Sequence, residues 1–123
     1  DLSHICRFSH FLNSYIKIEN IPVSEAAARI LSKLPKKERL DLLKEMITFG
    51  DDYELIFTIP PSHDNEPSFS SLLTEYPLQQ IGHIGAHISQ LPLGSKYKPQ
   101  LVHVYDEKGN ELQFKHTGYK HRW

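Results

Sequence analysis

Apolar residues recur every three or four positions at the start of the chain, at Leu2, Ile5, Phe8 and Leu12. This spacing places their side chains on one face of an amphipathic helix. Asp1 can cap the first turn, because its carboxylate accepts a hydrogen bond from a free backbone N–H there. The pattern therefore predicts a first helix that ends just after Leu12.

The next segments predict one strand and two further helices. Residues 15–21 (Tyr-Ile-Lys-Ile-Glu-Asn-Ile) alternate in polarity, which is typical of a half-buried or edge strand, and Pro22 closes it. Ser24 is a suitable N-cap for a second helix. Pro35 predicts the start of a third helix, since proline is tolerated in a first turn, and Gly50 predicts its end.

Residues 53–59 have the strongest strand pattern in the chain. Leu55, Phe57 and Ile59 would point to one side and Ile56 to the other. Because both sides are apolar, we expect both faces of this strand to be covered.

The remaining segments complete the predicted fold. Residues 68–76 predict a short helix and residues 78–86 a strand, while residues 100–105 and 111–114 flank a turn typical of a hairpin. Helices packed on a mixed or antiparallel sheet form an α+β two-layer sandwich. No composition break divides residues 1–123, which are therefore predicted to form a single domain.

Composition and charge exclude several functions. The 14 basic and 15 acidic residues nearly cancel, whereas nucleic-acid binders normally carry a basic face. No apolar run approaches the roughly 18 residues of a membrane span. The single cysteine, Cys6, excludes an internal disulfide and suits a reducing cytoplasm. We expect a cytoplasmic protein that binds neither nucleic acid nor membrane.

Histidine is abundant, with eight residues, but its spacing does not predict a metal site. His4 and His10 are six positions apart, and His116 and His121 are five apart, so neither pair has the i, i+4 spacing of a helical zinc site. We expect no metal ligand in this chain.

Two adjacent carboxylates, Asp51 and Asp52, lie on the predicted turn between the third helix and the strand at residues 53–59. Acids near a helix C-terminus are unfavourable, because the helix dipole prefers cations there. Loops at strand ends often carry functional groups, so this cost favours a binding role. Solvated acids of an ordinary turn are the alternative.

Residues 50–58 (Gly-Asp-Asp-Tyr-Glu-Leu-Ile-Phe-Thr) resemble the Gly-Gly-Glu-Asp-Tyr-Glu-Leu-Leu-Phe-Thr motif of thiamine-monophosphate kinases. Residues 1–6 resemble the Asp-Leu-x-His-Ile start of the helix that follows the family's Ser-Asp-Gly metal motif. Residues 80–84 resemble its Ile-Gly-Arg-Ile strand, and residues 118–121 its C-terminal Gly-Tyr-Asp-His-Phe. The first motif is quite specific, and the other three support it by their order.

The resemblance implies a bacterial kinase that transfers the γ-phosphoryl group of ATP to thiamine monophosphate, giving thiamine diphosphate. The family is related to aminoimidazole ribonucleotide synthetase, and its members are homodimers that use Mg²⁺. Their N-terminal domain supplies most ATP and metal ligands. Residues 1–123 are then the C-terminal, substrate-side domain, cut from its own N-terminal domain, without a catalytic residue and inactive alone.

The resemblance also implies a set of substrate-binding residues. Asp51 corresponds to the family's substrate-contacting Glu, and its carboxylate could accept hydrogen bonds from the aminopyrimidine amine and favour the cationic thiazolium. Gly50 would allow the backbone to turn close to the ligand. The full set of expected substrate-binding residues is Gly50, Asp51, Asp52, Phe114, Tyr119 and Trp123, the three aromatic residues serving to stack on the substrate rings.

The chain departs from the family pattern at several of these positions. Asp51 is one methylene shorter than the family's Glu, and Phe49 replaces the first Gly. Lys120 replaces an Asp in the tail. Two alternatives therefore stay open: a non-catalytic module that binds a ligand or partner, and a related ATP-dependent enzyme with another substrate.

Overall fold

The structure is a computed structural model that describes residues 1–9, 12–49, 54–63, 65–87 and 100–115. Within these residues the chain has an α+β fold, as predicted, with four α-helices and a three-stranded mixed sheet. The elements are α1 (Leu2–Phe8), β1 (Leu12–Lys17), α2 (Glu25–Ser32), α3 (Lys36–Thr48), α4 (Pro67–Glu75), β2 (Gly82–His87) and β3 (Val102–Tyr105), with 3-10 turns at Ile18–Asn20 and Pro61–His63.

The backbone forms two compact units. The first comprises Asp1–Ile21 and Leu55–Glu111, and the second comprises Pro22–Glu54 and Leu112–Trp123. The whole sheet belongs to the first unit, whereas α2 and α3 belong to the second.

Strand β1 lies at the centre of the sheet, in the order β2-β1-β3. It pairs antiparallel with β2 and parallel with β3, so that Tyr15 is opposite both His83 and His103. The prediction of a half-buried strand at residues 15–21 is confirmed for residues 15–17, since one face of β1 is buried. The alternative of an edge strand and the predicted end at residue 21 were wrong. Both of its neighbours come from the second half of the chain, and local polarity cannot report such distant pairing.

One face of the sheet forms the core of the first unit. Ser14 and Ile16 of β1 are buried there with Val104 of β3, and α1 contacts both strands. Cys6 of α1 is fully buried. The buried Ser14 hydroxyl donates a hydrogen bond to the Leu101 carbonyl oxygen at 3.2 Å, which removes the cost of placing a polar group in this core.

Two predicted boundaries near the N-terminus were wrong. Helix α1 ends at Phe8, and Leu12 belongs to β1 rather than to the helix. Phe8 is 86% exposed, so it does not continue the buried face. Once residues 12–17 pair with two strands, they gain ladder hydrogen bonds that a longer α1 would forgo.

The prediction of a buried strand at residues 53–59 was also wrong for its described part. Residues 54–60 form no helix or strand, and Leu55 is 97% exposed. Alternating apolar residues favour a strand only where a neighbouring strand supplies hydrogen bonds. Within the described residues, this segment has no such neighbour.

In the second unit, α2 and α3 begin where the sequence predicts. The Ser24 hydroxyl accepts a hydrogen bond from the Ala27 N–H at 3.2 Å, and α3 follows Pro35. Arg39 of α3 donates from Nε to the Leu31 carbonyl at 3.0 Å and from Nη2 to the Leu34 carbonyl at 3.1 Å. The guanidinium therefore satisfies carbonyls at the C-terminal end of α2 and ties α3 to it.

The predicted hairpin is reduced to its turn. Asp106 Oδ1 accepts hydrogen bonds from the N–H groups of Lys108 and Asn110, both at 2.9 Å. Gly109 has φ of 82°, which glycine adopts at little cost. Among the described residues, Tyr105 and Glu111 form the single bridge after this turn, so the predicted strand at residues 111–114 does not form.

Two glycines of β2 allow the close approach of β1. A methyl group at Gly82 would overlap the Tyr15 carbonyl oxygen, and one at Gly85 would overlap the edge of the Tyr15 ring. We expect Gly82→Ala to lower the free energy of unfolding by about 1–3 kcal/mol, since backbone must move. Gly85→Ala should lower the free energy of unfolding by less, because the Tyr15 side chain can move more easily than backbone.

Chemical denaturation of a double-mutant set tests this assignment. In a Tyr15→Ala background the cost of Gly85→Ala should disappear, whereas that of Gly82→Ala should persist. Equal costs for Gly85→Ala in both backgrounds would contradict the contact with the ring.

Candidate functional site

Five of the six predicted substrate-binding residues lie outside the described residues: Gly50, Asp51, Asp52, Tyr119 and Trp123. The structure describes the residues on either side of the predicted turn. Helix α3 ends at Thr48, and Phe49 follows with an extended backbone and a 70% exposed side chain. The role of the Asp51 turn stays a prediction.

Phe114 is the one predicted site residue that the structure describes. Its ring is half-buried, and the Lys44 ammonium of α3 lies 5.4 Å from the ring centroid. This is a cation–π contact, in which the negative face of the ring attracts the charge. A cationic heterocycle stacked on the same face would have to displace Lys44. Without a ligand, Lys44 therefore already occupies one face of the Phe114 ring.

The structure shows a cluster of rings that the sequence did not predict. It lies on the sheet face opposite the core and consists of Tyr15, His83, His103 and Tyr105, which we call the ring cluster. The Tyr15 ring centroid is 5.2 Å from that of His83, 5.4 Å from that of His103 and 6.4 Å from that of Tyr105. Interplanar angles of 22°, 17° and 24° show that all three pairs are stacked.

Strand register builds the ring cluster. Tyr15 is directly opposite His83 on one side and His103 on the other, at roughly the spacing between neighbouring strands. Tyr105 is two residues beyond His103 and so points to the same face. A pair of aromatic rings such as Tyr15 and Tyr105 contributes about 0.5–1.5 kcal/mol beyond area burial, and the two Tyr–His pairs add further stacking contact. The cluster therefore stabilises the pairing of all three strands.

His103 links the ring cluster to two oxygen atoms. Its Nδ1 lies 2.8 Å from Glu111 Oε1, and its Nε2 lies 3.3 Å from Asn13 Oδ1. A neutral imidazole can donate to one oxygen only, whereas an imidazolium can donate to both. A protonated His103 ring would therefore donate one hydrogen bond to Glu111, after the turn, and one to Asn13 of β1.

Tyr105 is held in its neutral form. Desolvation by burial, the Glu111 carboxylate and Tyr15 all raise the pKa of Tyr105 above its usual value of 10.0. At neutral pH the phenol is thus a hydrogen-bond donor rather than a base. The ring cluster therefore offers stacking surfaces and hydrogen-bonding groups.

The sequence contains part of the information that would predict the ring cluster. Asn13, Tyr15 and Lys17 alternate with the buried residues of β1, so a polar face on this strand could be inferred. His83 lies in the segment that resembles the family's Ile-Gly-Arg-Ile strand, where it replaces the Arg. Which strands meet at Tyr15 is a matter of long-range register, which no local pattern carries.

The described part of the chain has neither a metal-binding cluster nor a membrane-spanning helix. No group of three or more His, Cys, Asp or Glu side chains there could hold a metal ion. No described helix is long and apolar enough to cross a membrane. Comparison of the chain with protein-family models, with curated proteins and with solved structures finds no match.

The Glu111 charge should be measurable through Tyr105. We expect Glu111→Gln to lower the pKa of Tyr105, because one of the causes that raise it is removed while desolvation remains. Tyrosinate absorbance followed through alkaline pH measures this. The chain has six tyrosines, so Tyr105→Phe identifies the affected group.

Because folding raises the pKa of Tyr105, the free energy of unfolding depends on pH in the alkaline range. The stabilisation from Tyr105 is complete below its unfolded-state pKa and is lost as the pH rises through its higher folded-state pKa.

The control for the titration uses a Tyr105→Phe background, in which Glu111→Gln should leave the tyrosinate titration unchanged. A Glu111→Gln titration identical to that of the unaltered chain would contradict the interaction.

Proposed function

We propose that this chain is the C-terminal, substrate-side domain of a cytoplasmic thiamine-monophosphate kinase. The observation that carries the proposal is the order of four segments, residues 1–6, 50–58, 80–84 and 118–121, each of which resembles a motif of that family. Chance similarity at one segment is plausible, but four in the family's order over the length of the chain favour common descent.

Two of the four segments have a structure compatible with the family pattern. Residues 2–6 lie in α1, in agreement with the expected helix, and residues 82–84 lie in β2, in agreement with the expected strand. Gly82 also has a physical reason to be glycine, since a methyl group there would overlap the Tyr15 carbonyl oxygen. These observations support the alignment of the segments, and through it the proposal.

In this proposal the turn at residues 50–52 recognises thiamine monophosphate. The Asp51 carboxylate accepts hydrogen bonds from the exocyclic amine and stabilises the positive thiazolium ring. Gly50 admits the ligand close to the backbone, and Asp52 adds negative charge to the turn. Tyr119, with Phe114 and Trp123, stacks on the substrate rings, and the substrate displaces Lys44 or uses the other face of the Phe114 ring.

Catalysis in this proposal requires the N-terminal domain. Phosphoryl transfer depends on positioning and on the neutralisation of phosphate charge by metal ions. ATP and Mg²⁺ are assigned to the N-terminal domain by the resemblance, and no residue of this chain is proposed as their ligand. The chain by itself binds substrate without transferring phosphate, and the complete enzyme is a homodimer.

A non-catalytic interaction module is the second candidate. It is favoured by the amount of exposed apolar surface between residues 55 and 76, where Leu55, Phe57, Leu73 and Tyr76 are all about half exposed or more. Exposed apolar surface of this kind is typical of an interaction region.

Calorimetric titration with thiamine monophosphate tests the first candidate. We expect Asp51→Ala to weaken binding at least about tenfold, as expected when a hydrogen bond to a charged group is lost. Asp51→Glu, which restores the family's residue, should bind at least as tightly as the unaltered chain. Asp41→Ala is the matched control, because Asp41 is an exposed carboxylate of α3.

Two results would contradict the proposal. The first is equal affinity of the Asp51→Ala variant and the unaltered chain. The second is an absence of thiamine monophosphate binding and kinase activity when this domain is joined to the sequence encoded upstream of it.

A further inference from the structure

The stacked rings of the ring cluster form a row across the three strands, with an imidazole at each end. Strands β2 and β3 flank β1, and both His83 and His103 are directly opposite Tyr15. The Tyr15 ring is stacked on each of them, with interplanar angles of 22° and 17°. Both faces of the Tyr15 ring are therefore covered, and a further ring can join the row only at the outer face of one of the two histidines.

The two ends of the row differ in accessibility. The His103 side chain is 22% exposed, and its two ring nitrogens lie 2.8 Å from Glu111 Oε1 and 3.3 Å from Asn13 Oδ1. His83 is exposed, and among the described residues its ring contacts Tyr15 through one face. The outer face of the His83 ring is thus the accessible end of the row.

The surroundings of His83 on the sheet leave room for a further ring. Gly85 is two residues along β2 and lies on the same face, since a methyl group added to it would meet the Tyr15 ring. Because glycine has no side chain, nothing from that position projects beside the His83 ring. A planar aromatic ring of a ligand can therefore stack on His83 as the next member of the row, in an offset arrangement like that of the existing pairs.

Positive charge is close to this end of the row. Lys17 is exposed and is two residues after Tyr15 on β1, so its side chain projects from the same face. Because His83 is opposite Tyr15, Lys17 is its diagonal neighbour across the strand pair, a separation that long side chains can span. No Asp or Glu occurs in the three described strands, and Glu111 lies at the opposite end of the row, beside His103. The His83 end therefore offers a stacking surface and a cation together.

A ligand that uses both groups needs a planar ring and an anionic group held a short distance apart. We propose that His83 and Lys17 form a binding site for a nucleoside monophosphate. Its base stacks on the outer face of the His83 ring, and its phosphate pairs with the Lys17 ammonium across the width of the ribose. Stacking needs only the flat face of a base, whereas the positive charge selects the phosphorylated nucleoside over the free nucleoside.

The binding site for the nucleotide is independent of the kinase proposal, because it shares no residue with the set proposed to bind thiamine monophosphate. One base stacked on one face, together with one exposed ion pair, predicts a dissociation constant that is roughly millimolar. Nuclear magnetic resonance measures binding of this strength and reports on the individual histidine rings.

Titration of the isotopically labelled chain with adenosine 5′-monophosphate, followed by nuclear magnetic resonance, tests the proposal. The His83 ring protons should shift upfield, because the stacked base places them in its ring current. His83→Ala should weaken binding at least about fivefold, whereas His83→Phe, which keeps a flat aromatic face, should retain it. His63→Ala is the matched control, since His63 is an exposed histidine of the 3-10 turn and its ring protons should not shift.

Lys17→Gln should weaken binding of the nucleotide about threefold or more and leave binding of adenosine unchanged, with Lys33→Gln, at the exposed end of α2, as its control. Asp51→Ala, which tests the kinase proposal, should leave the affinity for the nucleotide unchanged. Four results would overturn the proposal: a His83 ring that does not shift, equal affinities of the His83→Ala and His63→Ala variants, equal effects of Lys17→Gln on nucleotide and nucleoside, or loss of nucleotide binding in Asp51→Ala.

Discussion

The first unit depends on the pairing of β1 with two strands from the distant second half of the chain. Among the described residues β2 and β3 do not pair with each other, and each joins the sheet through β1. Cys6 of α1 is buried in the unit whose core face β1 and β3 supply. If β1 did not pair on both sides, the sheet would not form. The core and the surface against which α1 packs would be lost with it.

The two faces of β1 serve different purposes because alternate residues point in opposite directions. Ser14 and Ile16 are buried on the core face, whereas Tyr15 lies between His83 and His103 on the other. Gly85 leaves the room that the Tyr15 ring occupies. The core and the ring cluster therefore depend on one register, and a slip by one residue would exchange the two faces.

At the proposed site and in the ring cluster, the structure describes the surroundings of Phe114 and Tyr105. Phe114 has Lys44 over its ring, and desolvation together with Glu111 raises the pKa of Tyr105. If the proposed kinase role is correct, the reactive groups come from the N-terminal domain and this chain contributes recognition.

The sequence by itself predicted four helices, because helix signals are local, although it placed the end of α1 too late. Ser24 and Pro35 mark the starts of α2 and α3, and residues 68–76 predict α4, with Pro77 closing it. It also predicted the α+β class, which the structure shows, whereas the role of the Asp51 turn stays a prediction. Only the tertiary structure decided that β1 is central, that residues 54–60 are not a strand, and that four rings meet at Tyr15. Strand formation needs a partner, and the partner is set by contacts between residues far apart in the sequence, which no local pattern contains.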